Sequence, residues 1–199
     1  MKKPFYKKWW FWVIIIIIVA VGIGSNGKKT EKTTATPSDT QQTTQKVEKE
    51  KNTNSALTVD EYKDRINSAL KEMGEKTKLK INSTEVLDDG RTSIALSNNI
   101  IIFLDTDKDK HIKKASLGMT PNAYLTEQED FKFAFLLLIG TMDNSLSFGD
   151  RNLVKQELGL SDEKIFSKDY TKSYKKNGIM YTYKGSIKEN FILQAEFRK

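Results

Sequence analysis

Apolar side chains are distributed along this chain in three different ways. From Trp9 to Gly24 they run without interruption: Trp9-Trp10-Phe11-Trp12-Val13, the isoleucines 14–18, then Val19-Ala20-Val21-Gly22-Ile23-Gly24. Between 25 and 55 they nearly vanish, Val47 being the one large apolar residue. From 56 onward they recur at the spacings of regular secondary structure.

The third region predicts a folded domain. Val59, Tyr62, Ile66, Ala69, Leu70 and Met73 share one face of a helix that Gly74 ends. Thr58 with Glu61 forms a capping box at its start, and Leu57 with Tyr62 a hydrophobic staple. A four-strand meander follows: 78–87, a turn at Asp88-Asp89-Gly90, 92–96, a turn at Ser97-Asn98-Asn99, the apolar run Ile100–Leu104 suited to a central strand, a turn at 105–110, and 111–117. Thr126 with Glu129 predicts a second capping box, leading a helix to about Met142. From Phe131 to Met142 only Lys132 and Thr141 are polar. That leaves central burial, a partner interface or bilayer contact as readings, although the run is too short to span a membrane. A shorter helix from about Asp150 to Leu158 stops at Gly159. Strands at 165–174, 179–185 and 190–197 close the pattern, with Lys176-Asn177-Gly178 as a turn and alternation in the last strand that predicts one wet face. The expected fold class is α+β: about seven strands in a single antiparallel sheet with helices packed on one face.

The first region has the chemistry of a membrane segment. Its 16 residues would make a helix about 24 Å long, somewhat short of a hydrocarbon core of roughly 30 Å. Snorkelling of Lys7 and Lys8 and local thinning of the bilayer make up the difference. Trp9, Trp10 and Trp12 beside that lysine pair fit the headgroup boundary as membrane-interface anchors. Residues 1–8 carry only basic charge, which places them in the cytoplasm and the remainder outside. A cleaved signal peptide and a buried helix are the competing readings; Gly22-Ile23-Gly24 replaces the usual small-residue cleavage site. Residues 25–55, rich in Thr and Lys, cannot bury enough apolar surface to offset ordering entropy, and are expected to be a disordered tether. Its root-mean-square reach would be roughly 30 Å. The expected organisation is therefore a basic cytoplasmic tail (1–8), a transmembrane helix (9–24), a tether (25–55) and an extracytoplasmic domain (56–199).

The leader Lys3-Pro4-Phe5-Tyr6-Lys7-Lys8-Trp9-Trp10-Phe11-Trp12-Val13 with its isoleucine run resembles the start of small membrane-anchored surface proteins of low-GC Gram-positive bacteria. The resemblance covers roughly the first 25 residues. It implies a topology and carries no functional residue into the outer domain.

Charge changes the picture mainly by its position. The chain has 33 Lys plus Arg against 26 Asp plus Glu, a net charge of +7. Of this, +4 lies in residues 1–24, +2 in 25–55 and +1 in 56–199. A nearly neutral domain with 29 Lys to 4 Arg in the whole chain argues against nucleic acid as a partner. The absence of Cys excludes disulfides, thiol nucleophiles and lipidation through Cys, and the single His111 excludes sites built on two imidazoles. Asp105, Asp107 and Asp109 have the opening spacing of a calcium loop. Lys110 stands where its glycine belongs and Ser116 where its last acid belongs, so a polar hairpin turn is expected, with weak cation binding as the alternative. His111 is expected on a strand edge. Ser-x-x-Lys pairs at Ser68/Lys71, Ser161/Lys164, Ser173/Lys176 and Ser25/Lys28 lack the companion motifs of acyl enzymes.

No catalytic residue, cofactor or metal site is expected. The functional expectation is a non-enzymatic, membrane-tethered binding or accessory module facing an envelope protein or another surface ligand, with the lipid bilayer as a second partner through the N-terminal helix. A structural subunit of a conjugation or secretion assembly, and an enzyme whose carboxylates are assembled only by the fold, are the alternatives.

Overall fold

The computed structural model describes residues 57–198. The tail, the apolar segment with Lys7, Lys8, Trp9, Trp10 and Trp12, and the tether lie outside these residues, as do Ala56 and Lys199 at the ends of the expected domain. No helix among the described residues is long and apolar enough to cross a membrane.

The α+β expectation holds: one antiparallel sheet of seven strands, with helices. Helix α1 (Val59–Met73) leads into strands β1 (Ser83–Val86), β2 (Thr92–Ala95), β3 (Ile100–Thr106) and β4 (Ile112–Met119). Helices α2 (Pro121–Thr126), α3 (Gln128–Met142) and α4 (Phe148–Glu157) follow, then a 3-10 turn at Glu163–Ser167 and strands β5 (Tyr170–Lys176), β6 (Ile179–Gly185) and β7 (Phe191–Phe197). The sheet order is β1-β2-β3-β4-β7-β6-β5. Two meanders thus meet at the β4–β7 pair, where Leu117 stands opposite Leu193 and Ala115 opposite Ala195.

Side chains buried by the helices (Tyr62, Ile66, Phe131, Phe135, Leu138, Val154) join one cluster with Ile94, Ile102, Leu117, Tyr181 and Leu193 from alternate strand positions. The helices therefore cover one face of the sheet. Helix α3 lies directly on β4 and β7, and α1, α2 and α4 pack against α3. At the centre Phe131 sits edge-on to Phe135, Phe166 and Phe191, at centroid distances of 5.1, 5.1 and 5.0 Å.

Four local expectations need correction. The regular strand predicted over 78–87 is only β1: the Lys78 amide donates to the Asp130 carboxylate (3.0 Å), while the Lys80, Asn82 and Leu87 amides donate to the Leu96, Ala95 and Arg91 carbonyls outside the regular ladder. Thr126 does not cap α3: its hydroxyl donates to the Asn122 carbonyl and closes the short helix α2, which Thr120-Pro121 begins. The strand predicted from 165 begins at Tyr170, since Ile165 and Phe166 are taken into the 3-10 turn and buried in the core. The alternation in β7 does not mark a wet face, for Ile192 is closed to solvent like Phe191 and Leu193. Across β3 and β4, Ile101, Phe103 and Ser116, which also point away from the helices, are equally closed.

At the start of α1 the capping box is half made. Thr58 accepts from the Glu61 amide (3.3 Å), while the Glu61 carboxylate turns to Arg65 (2.8 Å). The staple pair Leu57 and Tyr62 is buried, and Leu57 accepts from the Ile112 amide (2.8 Å), tying the entry of α1 to β4.

Candidate functional site

Helix α3 is apolar on more faces than a sheet can cover. Ten of its residues are buried, but Phe133 and Leu136 are only half-buried and point away from the strands. They form, with Leu137 and Gly140, a stripe at i, i+3, i+4 and i+7, the spacing with which one helix meets another. The stripe is the floor of a groove of about 960 Å³ whose walls are α1 (Arg65, Ser68, Ala69, Glu72, Met73) and α4 with its entry (Asn144, Phe148, Arg151, Lys155).

Each wall is held by its own chemistry. On α1, Arg65 donates to the Thr141 carbonyl at 3.0 Å and to Glu61, pinning that helix to the end of α3. On α4, Ser147 caps the first turn: its Oγ accepts from the Asp150 amide (3.1 Å) and donates to the Asp150 carboxylate (2.6 Å). The Arg151 Nε donates to the Leu146 carbonyl (3.0 Å), and its guanidinium lies over Gly140, where a Cβ would come within 2.8 Å of it. A side chain there would displace the flexible guanidinium tip from the groove floor. Phe148, the first residue of α4, is 70% exposed at the groove edge, an unusual place for a phenyl ring unless something covers it.

The rim is asymmetric in charge. Arg65, Lys76, Lys132, Arg151 and Lys155 line the groove with Glu72 and Glu129, and Arg65 is paired with Glu61 just outside the lining. Lys132 is satisfied by Glu163 (2.9 Å), which raises its pKa. Lys155 has no ion-pair partner among the described residues; burial first, then the neighbouring Lys132 charge, pushes its ammonium below the usual lysine range. The groove therefore combines an apolar floor with a surplus of positive charge, in a domain whose net charge is close to zero.

The residues singled out from sequence fall elsewhere. Asp107 closes the β3–β4 hairpin, accepting from the Asp109 and His111 amides at 2.9 Å each, with Lys110 at a left-handed φ of 63°. One ligand atom each from Asp107, Asp109 and His111 lie within 4.8 Å of one another. Asp105 is drawn off to Lys114 at 3.1 Å, so the calcium-loop spacing is not reproduced in space. The acceptor strength of Asp107 goes to the turn itself, and Lys108 and Lys110 flank it. His111 immediately precedes β4 and bridges to Thr58. None of the Ser-x-x-Lys pairs among the described residues forms a nucleophile with a base: Ser173 bonds Thr182 (2.9 Å) and Lys176 pairs with Asp150 (3.2 Å), while Ser68 is simply exposed on the groove wall.

These surface carboxylates have a pH signature. The hydrogen bond from the His111 amide holds the Asp107 carboxyl below the usual carboxylate range, and the bond from Ser147, then that from Lys176, does the same for Asp150. A carboxyl depressed in the folded state stabilises fully above its unfolded value of about 4 and loses that contribution as pH falls through the folded value. The melting temperature should therefore drop below about pH 4, with a shallower drop in Asp107→Asn and Asp150→Asn. A melting temperature that stays level down to about pH 2 would contradict this account.

Sequence reasoning recognised α3 as a possible interface but located neither its outward stripe nor the cations around it. Ser147-x-x-Asp150, a capping signal, would have placed the start of α4 and with it Phe148 and Arg151 on the groove wall. Comparison of the chain with protein-family models, with curated proteins and with solved structures found no match.

Proposed function

We propose that the protein is a membrane-tethered, extracytoplasmic binding or accessory module without catalytic activity, and that the groove over α3 is its ligand-taking surface. The observation that carries the binding part is the groove itself: an apolar floor at helical spacing, an exposed Phe148 and an excess of cations around it. The tether part rests on the uninterrupted apolar segment 9–24, flanked by lysine on one side only. A chain of 31 residues then keeps the domain within roughly 30 Å of the bilayer in root-mean-square terms, which raises its effective concentration toward other envelope components.

Two strains test both parts. A photo-cross-linking residue at Leu136 should give a discrete adduct in living cells, whereas the same residue at the exposed Lys80 should not. Protease added to intact protoplasts should then remove the domain together with the adduct. Full protection of the domain refutes the outward orientation, and equal labelling from both positions refutes the groove as the binding surface.

A further inference from the structure

Taking the groove as the ligand-taking surface, we infer that its occupant is an amphipathic α-helix of a partner protein, carrying acidic residues beside its apolar stripe. The argument rests on that assignment of the groove and adds the identity of what fills it. Phe133 and Leu136, the part-exposed pair of the floor, stand at the i, i+3 spacing by which side chains of one helix form ridges for another, above the buried Leu137, and the Arg151 guanidinium closes the end over Gly140. The walls on either side are themselves helices, so a fourth helix laid along α3 would meet side-chain ridges on three sides.

A small ligand is a poorer match. Its pockets are lined with a few polar groups that converge on the molecule and fix its orientation. Here the polar groups stand along the rim, apart from the Arg151 guanidinium, which lies over Gly140 at one end of the floor. The layout is that of helix-in-groove recognition, where apolar anchors enter a trough and charges at its edge choose the partner. The sign of that choice follows from the rim. Lys155 is half-buried with no carboxylate paired to it among the described residues, Arg151 spends only its Nε on the Leu146 carbonyl, and Lys76 is exposed at the far end. An acidic flank would give these cations partners; a basic flank would add like charge beside a lysine that burial and Lys132 already disfavour.

The test uses the full chain in lipid nanodiscs and two fluorescein-labelled peptides of about 18 residues, enough for about five helical turns. One carries leucine at an i, i+3, i+4, i+7 stripe with glutamate on both flanks; its twin has lysine for every glutamate. By fluorescence anisotropy the acidic peptide should bind at least about tenfold more tightly than its twin, a difference of about 1.4 kcal/mol. Leu136→Glu should abolish binding of the acidic peptide, and Lys155→Glu should weaken it by about tenfold while strengthening the twin. Both replaced side chains are part-exposed, and an unchanged melting temperature shows that the variants fold.

Each other outcome overturns the inference in a distinguishable way. Equal binding of both peptides, lost in Leu136→Glu, removes the acidic partner and leaves the groove as a binding surface. A fluorescent fatty acid that binds where neither peptide does, and is lost in Leu136→Glu, removes the helix and again leaves the groove. Binding of the acidic peptide only after deletion of residues 1–24 makes the chain's own apolar segment the occupant. Peptide binding untouched by Leu136→Glu, or no binding of any probe together with no adduct from position 136, removes the groove as well.

Discussion

Replacing Phe131 with alanine is expected to lower the stability of the domain by about 3–5 kcal/mol, enough to leave it barely folded. The ring is fully buried and meets four others edge-on or nearly so: Tyr124 at 5.3 Å, Phe135 and Phe166 at 5.1 Å, and Phe191 at 5.0 Å. These neighbours come from α2, α3, the 3-10 turn after α4, and β7, so one side chain joins three helical segments to the sheet. Alanine leaves a cavity that none can fill alone, because each is already fixed by the others, and edge-to-face pairs contribute about 0.5–1.5 kcal/mol each beyond their area. The informative comparison is Phe133→Ala, two residues along the same helix. Its ring is half-buried on the groove floor, and its loss should cost about 1 kcal/mol, since exposed apolar area gains little on folding. Urea denaturation followed by near-ultraviolet dichroism measures both. Equal losses would mean that the outward stripe of α3 is structural, and the groove would lose its standing as a surface kept for a partner.

That pair of phenylalanines shows how far the amino-acid pattern could be read. An apolar run from 131 to 142 marks a helix at the centre of the domain, and the helix is there. Periodicity cannot say which of its faces meets strands and which meets a groove, because all faces carry the same chemistry. The distinction depends on where α1 and α4 stop covering it, a property of three elements distant in sequence. The same reasoning explains the other misreadings. Alternation does hold in β6, whose residues alternate between buried and half-buried, because only one of its faces is closed. It failed in β7, where both faces are closed. Thr126 and Glu129 satisfy the spacing of a capping box, but the preceding Thr120-Pro121 starts a turn of helix that uses Thr126 for its own closure. At the entry to α3 it is Glu127 that matters: its carboxylate accepts from Ser97 (2.8 Å) and Asn99, fastening the β2–β3 turn to the helix. Long-range polar partners of this kind leave no local signal. The charge excess reads in the opposite sense: its concentration in residues 1–55 leaves residues 56–199 nearly neutral, yet averaging over them conceals the cationic rim around one groove.

The second large effect is expected at Gly185, where alanine should cost about 3 kcal/mol. This glycine ends β6 and pairs with Phe191 of β7 on one side and Tyr170 of β5 on the other. In the sequence it is simply the last residue of the strand expected over 179–185. In the fold the reason for glycine is space. A Cβ there would be driven into the Asn190 carbonyl oxygen and would stand 2.7 Å from the Phe191 Cα, both backbone atoms of the adjoining strand. Neither can swing aside as the tip of a side chain would, so the β6–β7 connection itself must open. That connection carries a further link, the Ile187 amide donating to the Phe166 carbonyl at 2.7 Å, and Phe166 is one of the rings around Phe131. Strain at Gly185 is thus transmitted to the aromatic cluster beneath α3, and Gly185→Ala should weaken acidic-peptide binding in proportion to the unfolded fraction and no further. Gly90→Ala supplies the contrast. Its φ of 82° disfavours a side chain but nothing lies within 4 Å of the new methyl group, so the expected cost is about 1 kcal/mol from backbone conformation alone. If chemical denaturation places Gly185→Ala within about 1 kcal/mol of the parent chain, the β6–β7 connection is soft enough to yield, and close backbone approach is not what requires glycine there.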